Sequence, residues 1–262
     1  MDLQLKNKNA LVCGSTQGIG KATAIMLAAE GANVTLVARN EAKLKTTLEE
    51  LYSVSERSRR HNYIIADFTK PEELGEKLAV LNPPSFHILI NNTGGPAGGP
   101  VFNAKLEEFE RAFTMHLKCN HVLVQRLVPF MKEVGYGRII NVISTSVKQP
   151  LDGLGVSNTI RGAVANWSKT MANELGQFGI TVNNVLPGAT ETERLNEIIQ
   201  NKANKTGKNT EEISQNMKNA SPAKRFAKPQ ETAAAITFLA SEKAAFINGI
   251  NLPVDGGRTK SL

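Results

Sequence analysis

Apolar residues along the chain occur in two alternating patterns. Short runs rich in Val, Ile and Leu, typical of buried strands, are separated by longer segments in which apolar residues recur every three or four positions, as on one face of a helix. The predicted strands cover residues 10–13, 33–38, 63–66, 88–91, 137–142, 181–186 and 250–254. Strands that alternate with helices in this way indicate an α/β protein, with a parallel sheet covered by helices on both faces.

The alternation runs through residues 1–262 without an internal repeat or a Pro- and Ser-rich linker, which predicts a single domain. Residues 190–228 depart from it, because they are rich in Asn, Lys and Gln and their helical pattern is weak. A long insertion between a strand end and the next helix is usually a lid over the site in this architecture. The alternative is a floppy surface excursion, which the polarity of the segment would also allow.

The composition narrows the class of protein. The chain has 31 Lys and Arg against 24 Asp and Glu, which makes the formal net charge +7. A basic surface could bind nucleic acid, but aromatic residues are only 5% of the chain, so a basic enzyme with anionic ligands is favoured. Two cysteines and no zinc-like His/Cys spacing argue against a disulfide framework and a metal site. Without a long apolar run or a leader-like N-terminus, we expect a cytoplasmic protein with no membrane segment.

A glycine-rich turn follows the first predicted strand and opens the first predicted helix, residues 21–30. Its spacing is Gly-x-x-x-Gly-x-Gly, from Gly14 through Gly18 to Gly20. Glycines at these positions let the backbone approach a pyrophosphate, whose charge then meets the positive N-terminus of the helix. The residues predicted to bind this group are Gly14, Ser15, Gln17, Gly18, Ile19 and Gly20. The turn therefore predicts a dinucleotide site.

The end of the second strand indicates which dinucleotide binds. A site for NAD has Asp or Glu there to accept hydrogen bonds from the ribose, whereas this chain has Arg39, whose planar fork suits a 2′-phosphate. NADP(H) is therefore predicted over NAD, and the alternative is that Arg39 is a solvated loop residue. Asp67, Asn91 and Gly94 lie at or just after the ends of the third and fourth strands, and we expect them to contact the cofactor.

Together these motifs resemble the short-chain dehydrogenase/reductase family. The glycine turn, Asn91-Asn92-Thr93-Gly94, Ile140-Asn141-Val142-Ile143-Ser144, Pro187-Gly188 and Val254-Asp255-Gly256-Gly257 occur in the family's order, almost from end to end. The branch that the chain resembles most is the 3-oxoacyl-acyl-carrier-protein reductases. The resemblance implies a Rossmann-type doubly wound parallel β-sheet, an NADP(H)-dependent oxidoreductase and a homotetramer.

The catalytic positions depart from the family pattern. In the family a Ser polarises the carbonyl, a Tyr thirteen residues later passes the proton, and a Lys four residues beyond holds the nicotinamide ribose. Ser144 is present, but Ser157 and Arg161 stand at the Tyr and Lys positions, and His116 replaces a helix-borne Asn. Positions 157 and 161 share the inward face of the predicted helix. Arg161 could bind ribose hydroxyls and stabilise a developing alkoxide, but it cannot donate a proton.

The proton donor is left open among three candidates. An alkyl hydroxyl is a far weaker acid than a phenol, so Ser157 is expected only to form an auxiliary hydrogen bond. The proton would come from water, from Lys148 or from His116, which is predicted to face inward on a stripe after Phe109 and Phe113; its alternative role is that of a core histidine.

The loop after the sixth strand matches the family without departure. Its residues Pro187, Gly188 and Thr192 imply a contact with the nicotinamide carboxamide.

Two functions are compatible with this sequence. The first is an NADP(H)-dependent reductase of a carbonyl or acyl thioester, either free or attached to an acyl carrier protein. The second is a nucleotide-binding sensor or scaffold of the same fold without turnover. Basic residues of the lid outweigh Glu211 and Glu212 and could attract an acidic carrier or an anionic thioester, although a solvated loop is an equal alternative. These residues are Lys202, Lys205, Lys208, Lys218, Lys224, Arg225 and Lys228.

Overall fold

Seven strands form one sheet in the computed structural model, which describes residues 1–81 and 85–261. The strands are β1 (Asn9–Cys13), β2 (Asn33–Ala38), β3 (Asn62–Ile65), β4 (Ile88–Asn91), β5 (Gly137–Val142), β6 (Ile180–Pro187) and β7 (Asn251–Val254). They lie in the order β3-β2-β1-β4-β5-β6-β7, and every neighbouring pair is parallel. All seven predicted strands are confirmed to within one residue at each end.

The helices connect successive strands and cover both faces of the sheet. Within the described residues they are α1 (Gly18–Ala29), α2 (Glu41–Val54), α3 (Pro71–Ala79), α4 (Leu106–Phe113), α5 (Cys119–Glu133), α6 (Gly155–Leu175), α7 (Glu193–Thr206), α8 (Thr210–Asn219) and α9 (Pro229–Leu239). Helix α1 begins at Gly18 rather than at residue 21, because the last glycines of the turn already belong to it. This is the Rossmann-type doubly wound arrangement that the sequence predicts.

Each face of the sheet has its own apolar core. On one face α1 and α9 contribute Leu27 and Ile236, and on the other α3, α5 and α6 contribute Leu74, Leu123 and Leu175. Burying an aliphatic side chain of this size contributes about 1.5–3 kcal/mol to folding. The strand order reverses between β1 and β4, so a crevice opens beyond the carboxyl ends of these two strands, which is where ligands bind in open α/β sheets.

The predicted lid, residues 190–228, is more regular than its sequence pattern suggests. Gly207, whose φ of 69° lies in the left-handed region, is the C-cap of α7, and Asn209 is the N-cap of α8. The inner faces of the two helices pack with Phe226, which follows α8, into a small separate core. Its helical residues are Leu195, Ile199, Ala203 and Ile213. Apolar residues at spacings of four therefore order the segment, although they are sparse among its polar residues.

Two neutral histidines accept hydrogen bonds from backbone N–H groups near the amino ends of neighbouring strands. The Asn9 N–H donates to Nδ1 of His87 and the Val34 N–H donates to Nδ1 of His61, both at 3.1 Å. A ring nitrogen that accepts a hydrogen bond carries no proton. Burial first, and then the nearby charges of Arg59 and Lys8, lower the pKa of His61 and of His87, respectively.

A fall in pH is therefore expected to lower the free energy of unfolding through these two side chains. The unfolded chain binds their protons below about pH 6.5 while the folded chain does not, so stability is lost as the pH falls through that value, by at most about 1.4 kcal/mol per histidine per pH unit. Urea unfolding at pH 7 and pH 5 measures the loss. The His61→Gln/His87→Gln variant, whose amide oxygens accept the same bonds without titrating, should lose less; an equal loss would show that other groups cause it.

Candidate active site

The glycine turn has a close-packed backbone that a side chain would disrupt. Gly14 and Gly18 have φ values of 58° and 54°, in the region that favours glycine. A Cβ added at Gly20 would overlap the Gly14 carbonyl and lie 2.6 Å from Nδ2 of Asn92. That amide donates to the carbonyls of Gly14 and Cys13, at 3.2 and 3.3 Å. Asn92, to which the sequence assigns no role beyond its place in the Asn91-Asn92-Thr93-Gly94 motif, therefore ties the turn to the end of β4.

The N-terminus of α1 is suited to an anion. Gln17 is its N-cap residue in an extended conformation, and within the described residues no side chain caps the helix, whose first turn contains no acidic residue. Unpaired N–H groups and the positive end of the helix thus face the crevice at Gly18 and Ile19. The hydroxyl of Ser15 has another role than predicted: it is fully buried and accepts the Val37 N–H at 3.1 Å, which fastens the turn to β2.

Basic side chains follow β2 where a carboxylate would favour NAD. Arg39 is exposed directly after the strand, and Asn40 then caps α2 by accepting the Lys43 N–H at 2.9 Å. The Lys43 ammonium lies 3.5 Å from Oε1 of Gln17, at the glycine turn. The nearest glutamate along the chain, Glu41, forms a salt bridge with Lys45 and accepts a hydrogen bond from the Tyr63 hydroxyl, each at 3.0 Å. The positions suit a 2′-phosphate.

Asp67 and Gly94 lie at the carboxyl ends of β3 and β4, as predicted. The Thr69 N–H donates to Asp67 at 2.9 Å and is the main cause of the lowered pKa of this carboxyl, to which the Arg39 charge also contributes. Asp67 is therefore an anionic acceptor beside the crevice. Around Gly94 no described atom lies within 4 Å of the position that a Cβ would take, so this part of the crevice floor is open.

The side chain of Asn91 lies inside the sheet, which corrects its predicted contact with the cofactor. Asn91 is in register with Asn141, and its amide donates to Oδ1 of that residue at 2.8 Å. Asn141 donates in turn to Asn184 at 3.0 Å, and Asn184 to Asn251 at 2.8 Å. Because the strands are parallel and in register, these amides bond laterally and cross-link β4 to β7.

Ser157 and Arg161 face inward from α6, as their spacing predicts. Both are 8% exposed, and Nε of Arg161 donates to the Ser157 hydroxyl at 3.3 Å while Nη1 donates to the Val142 carbonyl at 3.1 Å. Burial, and then the charge of Arg194, lower the pKa of Arg161 to about 10, so it stays positive at neutral pH. No carboxylate among the described residues forms an ion pair with it.

Ser144 lies two residues beyond Val142, just past the end of β5. Its oxygen accepts the Ser146 N–H at 3.1 Å and caps a short 3₁₀ turn, which leaves the hydroxyl proton free to donate. The geometry suits an oxygen that polarises a substrate carbonyl. Lys148 is half-buried at the end of the same turn, and its part as proton donor stays a prediction.

His116 is neutral and buried, which weakens its case as a proton donor. Its Nδ1 lies 2.9 Å from the Thr93 hydroxyl. Burial, and then the Arg161 charge, lower the pKa of His116 to about 3 against an opposing effect of the Gly94 carbonyl. The stripe that predicts its orientation is interrupted by one π-helical turn, Thr114–Lys118, whose extra residue rotates the helix, so Phe113 is 37% exposed rather than inward-facing.

The loop after β6 returns to the glycine turn. The Gly188 N–H donates to the Val254 carbonyl at 2.9 Å, directly after Pro187 ends the strand. The Thr192 methyl would lie 2.9 Å from a Cβ at Gly18, and the Thr192 hydroxyl caps α7 by accepting the Leu195 N–H at 3.2 Å. This loop therefore closes one side of the crevice; the predicted contact with a carboxamide stays a prediction.

The basic charge of the lid is partly neutralised within the chain. Lys208 pairs with Glu212, and Arg225 forms a two-pronged pair with Glu231 at 2.6 Å for each bond. Among the described residues no cluster of His, Cys, Asp and Glu could hold a metal ion. Within the same part of the chain, no helix combines the length and apolar character that crossing a bilayer requires.

Residues 14–259 match the model of a protein family that is described as enoyl-(acyl carrier protein) reductase. An NADPH-dependent reductase of Bacillus subtilis, BacG, is 29% identical over 98% of this chain and 100% of its own. The uncharacterized oxidoreductase YvrD of the same organism is 33% identical, with all of both chains covered.

A solved structure has the same architecture over its whole length. L-sorbose reductase of Gluconobacter frateurii, determined in complex with NADPH and L-sorbose, superposes with a TM-score of 0.92 at 30% identity and full coverage of both chains. A chain of the same fold was therefore crystallised with a nicotinamide cofactor.

Proposed function

Because the chain belongs to the short-chain dehydrogenase/reductase family, we propose that it is an NADP(H)-dependent oxidoreductase acting on a carbonyl or hydroxyl carbon. The observation that carries this proposal is the glycine turn packed against Asn92 under an uncapped helix, with Arg39 in place of a carboxylate after β2. The names of the relatives agree, since NADPH is part of two of them.

The residues of the crevice fit the parts of this cofactor. The turn from Gly14 to Gly20 would hold the pyrophosphate, because its backbone has no side chain in the way and the α1 N-terminus is positive. Arg39 would bind the 2′-phosphate and Asp67 the adenine amino group. When bound, the cofactor supplies a hydride to the substrate or accepts one from it.

The chain's own catalytic groups are Ser144 and Arg161. Ser144 donates a hydrogen bond to the substrate oxygen, and the buried guanidinium of Arg161 stabilises the negative charge that develops there. Ser157 orients Arg161 by accepting its Nε–H at 3.3 Å. The proton is delivered by water or Lys148, because Arg161 does not deprotonate at working pH and His116 is neutral.

Substrate and partners follow from the family resemblance and stay proposals. The chain resembles 3-oxoacyl-acyl-carrier-protein reductases, which makes an acyl thioester on an acidic carrier one candidate, attracted by the basic lid. A homotetramer is the second proposal, which light scattering would check. Exposed apolar residues support it in the 3₁₀ turn before α4 and at the first residue of α4, namely Val101, Phe102 and Leu106.

One observation favours a second function, a nucleotide sensor without turnover. Ser157 and Arg161 stand where the family has its phenol and ammonium, while the cofactor-binding positions are retained. Consumption of NADPH over a panel of carbonyl compounds separates the two functions. Binding without consumption would establish the sensor.

NADPH is expected to bind at least about tenfold more tightly than NADH, because a phosphate–guanidinium contact is charge-assisted. The Arg39→Gln variant should lose most of this preference, whereas Arg57→Gln, which removes another exposed arginine, should keep it. Calorimetric titration of both nucleotides measures the ratio. Equal dissociation constants in the unmodified protein would remove Arg39 from this role.

A further inference from the structure

Two guanidinium groups from different helices approach the same short loop. Arg161 of α6 places Nη2 3.4 Å from the position of a Cβ at Gly95. Arg194, in the first turn of α7, donates from Nη2 to the carbonyl of Pro96 at 2.7 Å. The Arg194 charge is close enough to disfavour the charged form of Arg161 and, after burial, is the second cause of its lowered pKa. No sequence motif includes Arg194, although it lies two residues after Thr192.

This pair has more positive charge than the chain neutralises. Nη1 of Arg194 lies 3.0 Å from Glu197, which offsets one of the two charges. In the described part of the chain no carboxylate pairs with Arg161, whose Nε and Nη1 bind only Ser157 and Val142. One positive charge is left over, at a place where burial makes an uncompensated ion costly.

The groups around the pair add no negative charge. His116 is neutral, and its Nε2 is buried without a well-directed hydrogen-bond partner among the described residues. Thr93 contributes a hydroxyl at His116, and Ser144 lies two residues from the carbonyl that accepts from Arg161. An anionic group bound here would therefore sit next to the candidate carbonyl-polarising serine.

We propose that Arg161 and Arg194 bind a carboxylate of the substrate, which makes this protein a reductase of oxo acids. A monoanion matches the single surplus charge. Nη2 of Arg161, which has no acceptor among the described residues, would donate to one carboxylate oxygen, and Arg194 adds positive charge beside the same loop. This inference rests on the proposed function, because it assigns a substrate to the same crevice. It concerns the substrate end of the crevice and not the phosphate end at Arg39.

Equilibrium binding of two matched probes tests the proposal. Phenylpyruvate and phenylacetone share the benzyl ketone and differ in a carboxylate against a methyl group. Titrated into the protein saturated with NADP⁺, phenylpyruvate is expected to bind at least about tenfold more tightly, since a hydrogen bond to a charged group is among the stronger ones. Equal affinities would overturn the proposal.

Variants of Arg194 locate the effect. Arg194→Gln, which keeps a donor for Pro96 and loses the charge, should weaken phenylpyruvate about tenfold and leave phenylacetone unchanged. Arg194→Lys should retain most of the preference, and the distant Arg57→Gln should retain all of it. An Arg194→Gln variant with unchanged phenylpyruvate affinity would refute the role of this residue. Displacement of phenylpyruvate by inorganic phosphate at lower concentration than by acetate would overturn the choice of a carboxylate.

The failure of this inference can be told apart from failure of the proposed function. If phenylpyruvate binds in an Arg194-dependent manner but no carbonyl compound consumes NADPH, the anion site stands and the reductase does not. If phenylacetone and other neutral ketones consume NADPH while phenylpyruvate neither binds nor reacts better than they do, the reductase stands and the anion site does not.

Discussion

The double variant Ser157→Tyr/Arg161→Lys is expected to reduce carbonyl compounds about a hundredfold faster than the unmodified protein. General acid catalysis contributes about 10²–10⁴-fold, and a phenol beside an ammonium supplies the acid that Ser157 cannot. The two positions already lie on one helix face, with Nε of Arg161 at 3.3 Å from the Ser157 oxygen. Initial rates of NADPH consumption measure the gain, and thermal unfolding checks that the larger ring is accommodated.

The single variants are the matched controls for this gain. Tyr without the ammonium lacks its tuning partner, and Lys without Tyr has nothing to tune, so each change alone should do less than the pair. A double variant slower than a brisk unmodified enzyme would show that the proton already has another source, and Lys148→Ala would then be measured. If neither protein consumes NADPH and both bind it, the sensor function is correct.

Gly20→Ala is expected to weaken NADPH binding by up to about a hundredfold. Its added Cβ would overlap the Gly14 carbonyl and lie 2.6 Å from Nδ2 of Asn92, so the turn must open where the pyrophosphate would lie. Overpacking of this kind typically costs about 1–3 kcal/mol, and each 1.4 kcal/mol is a factor of ten in affinity. Fluorescence titration of NADPH measures the loss, and circular dichroism checks that the variant folds.

Gly162→Ala is the control for this change. Gly162 lies within α6 with an ordinary helical φ, and no described atom is within 4 Å of the Cβ position. Replacing it should keep NADPH affinity and stabilise the helix by about 0.5–1 kcal/mol. If Gly20→Ala bound NADPH as tightly as Gly162→Ala, the close packing of the turn would not be needed for the cofactor.

Local features of the sequence were sufficient to predict the strands of the sheet and the glycines at the phosphate end of the crevice. The runs at 33–38, 88–91 and 137–142 coincide with β2, β4 and β5 residue for residue, because strands inside a parallel sheet are short, largely apolar runs bounded by polar turns. Gly14, Gly18 and Gly20 could be found in the same way, since glycine is favoured by the positive φ of Gly14 and Gly18 and by the close backbone contact at Gly14 and Gly20.

Other residues could not be assigned from their neighbours along the chain. Ser15 and Asn91 both lie in motifs that face the crevice, yet their side chains bond to Val37 and Asn141 on adjacent strands. Phe113 was placed inward by a regular helical period, and the π-helical turn after it changes that period. Each of these outcomes depends on a partner or a helix irregularity that periodicity does not encode.

The sequence by itself determined the fold, the nucleotide-binding turn and the absence of a phenol on α6, because these depend on residue type and local spacing. Only the tertiary structure decided how the buried charge of Arg161 is arranged. Its bonds go to Ser157 and to the Val142 carbonyl, 19 residues away, and Arg194 reaches the same loop from another helix. Packing in three dimensions sets both the burial that makes an uncompensated charge costly and the distances between charges, and neither can be obtained from spacing along one chain.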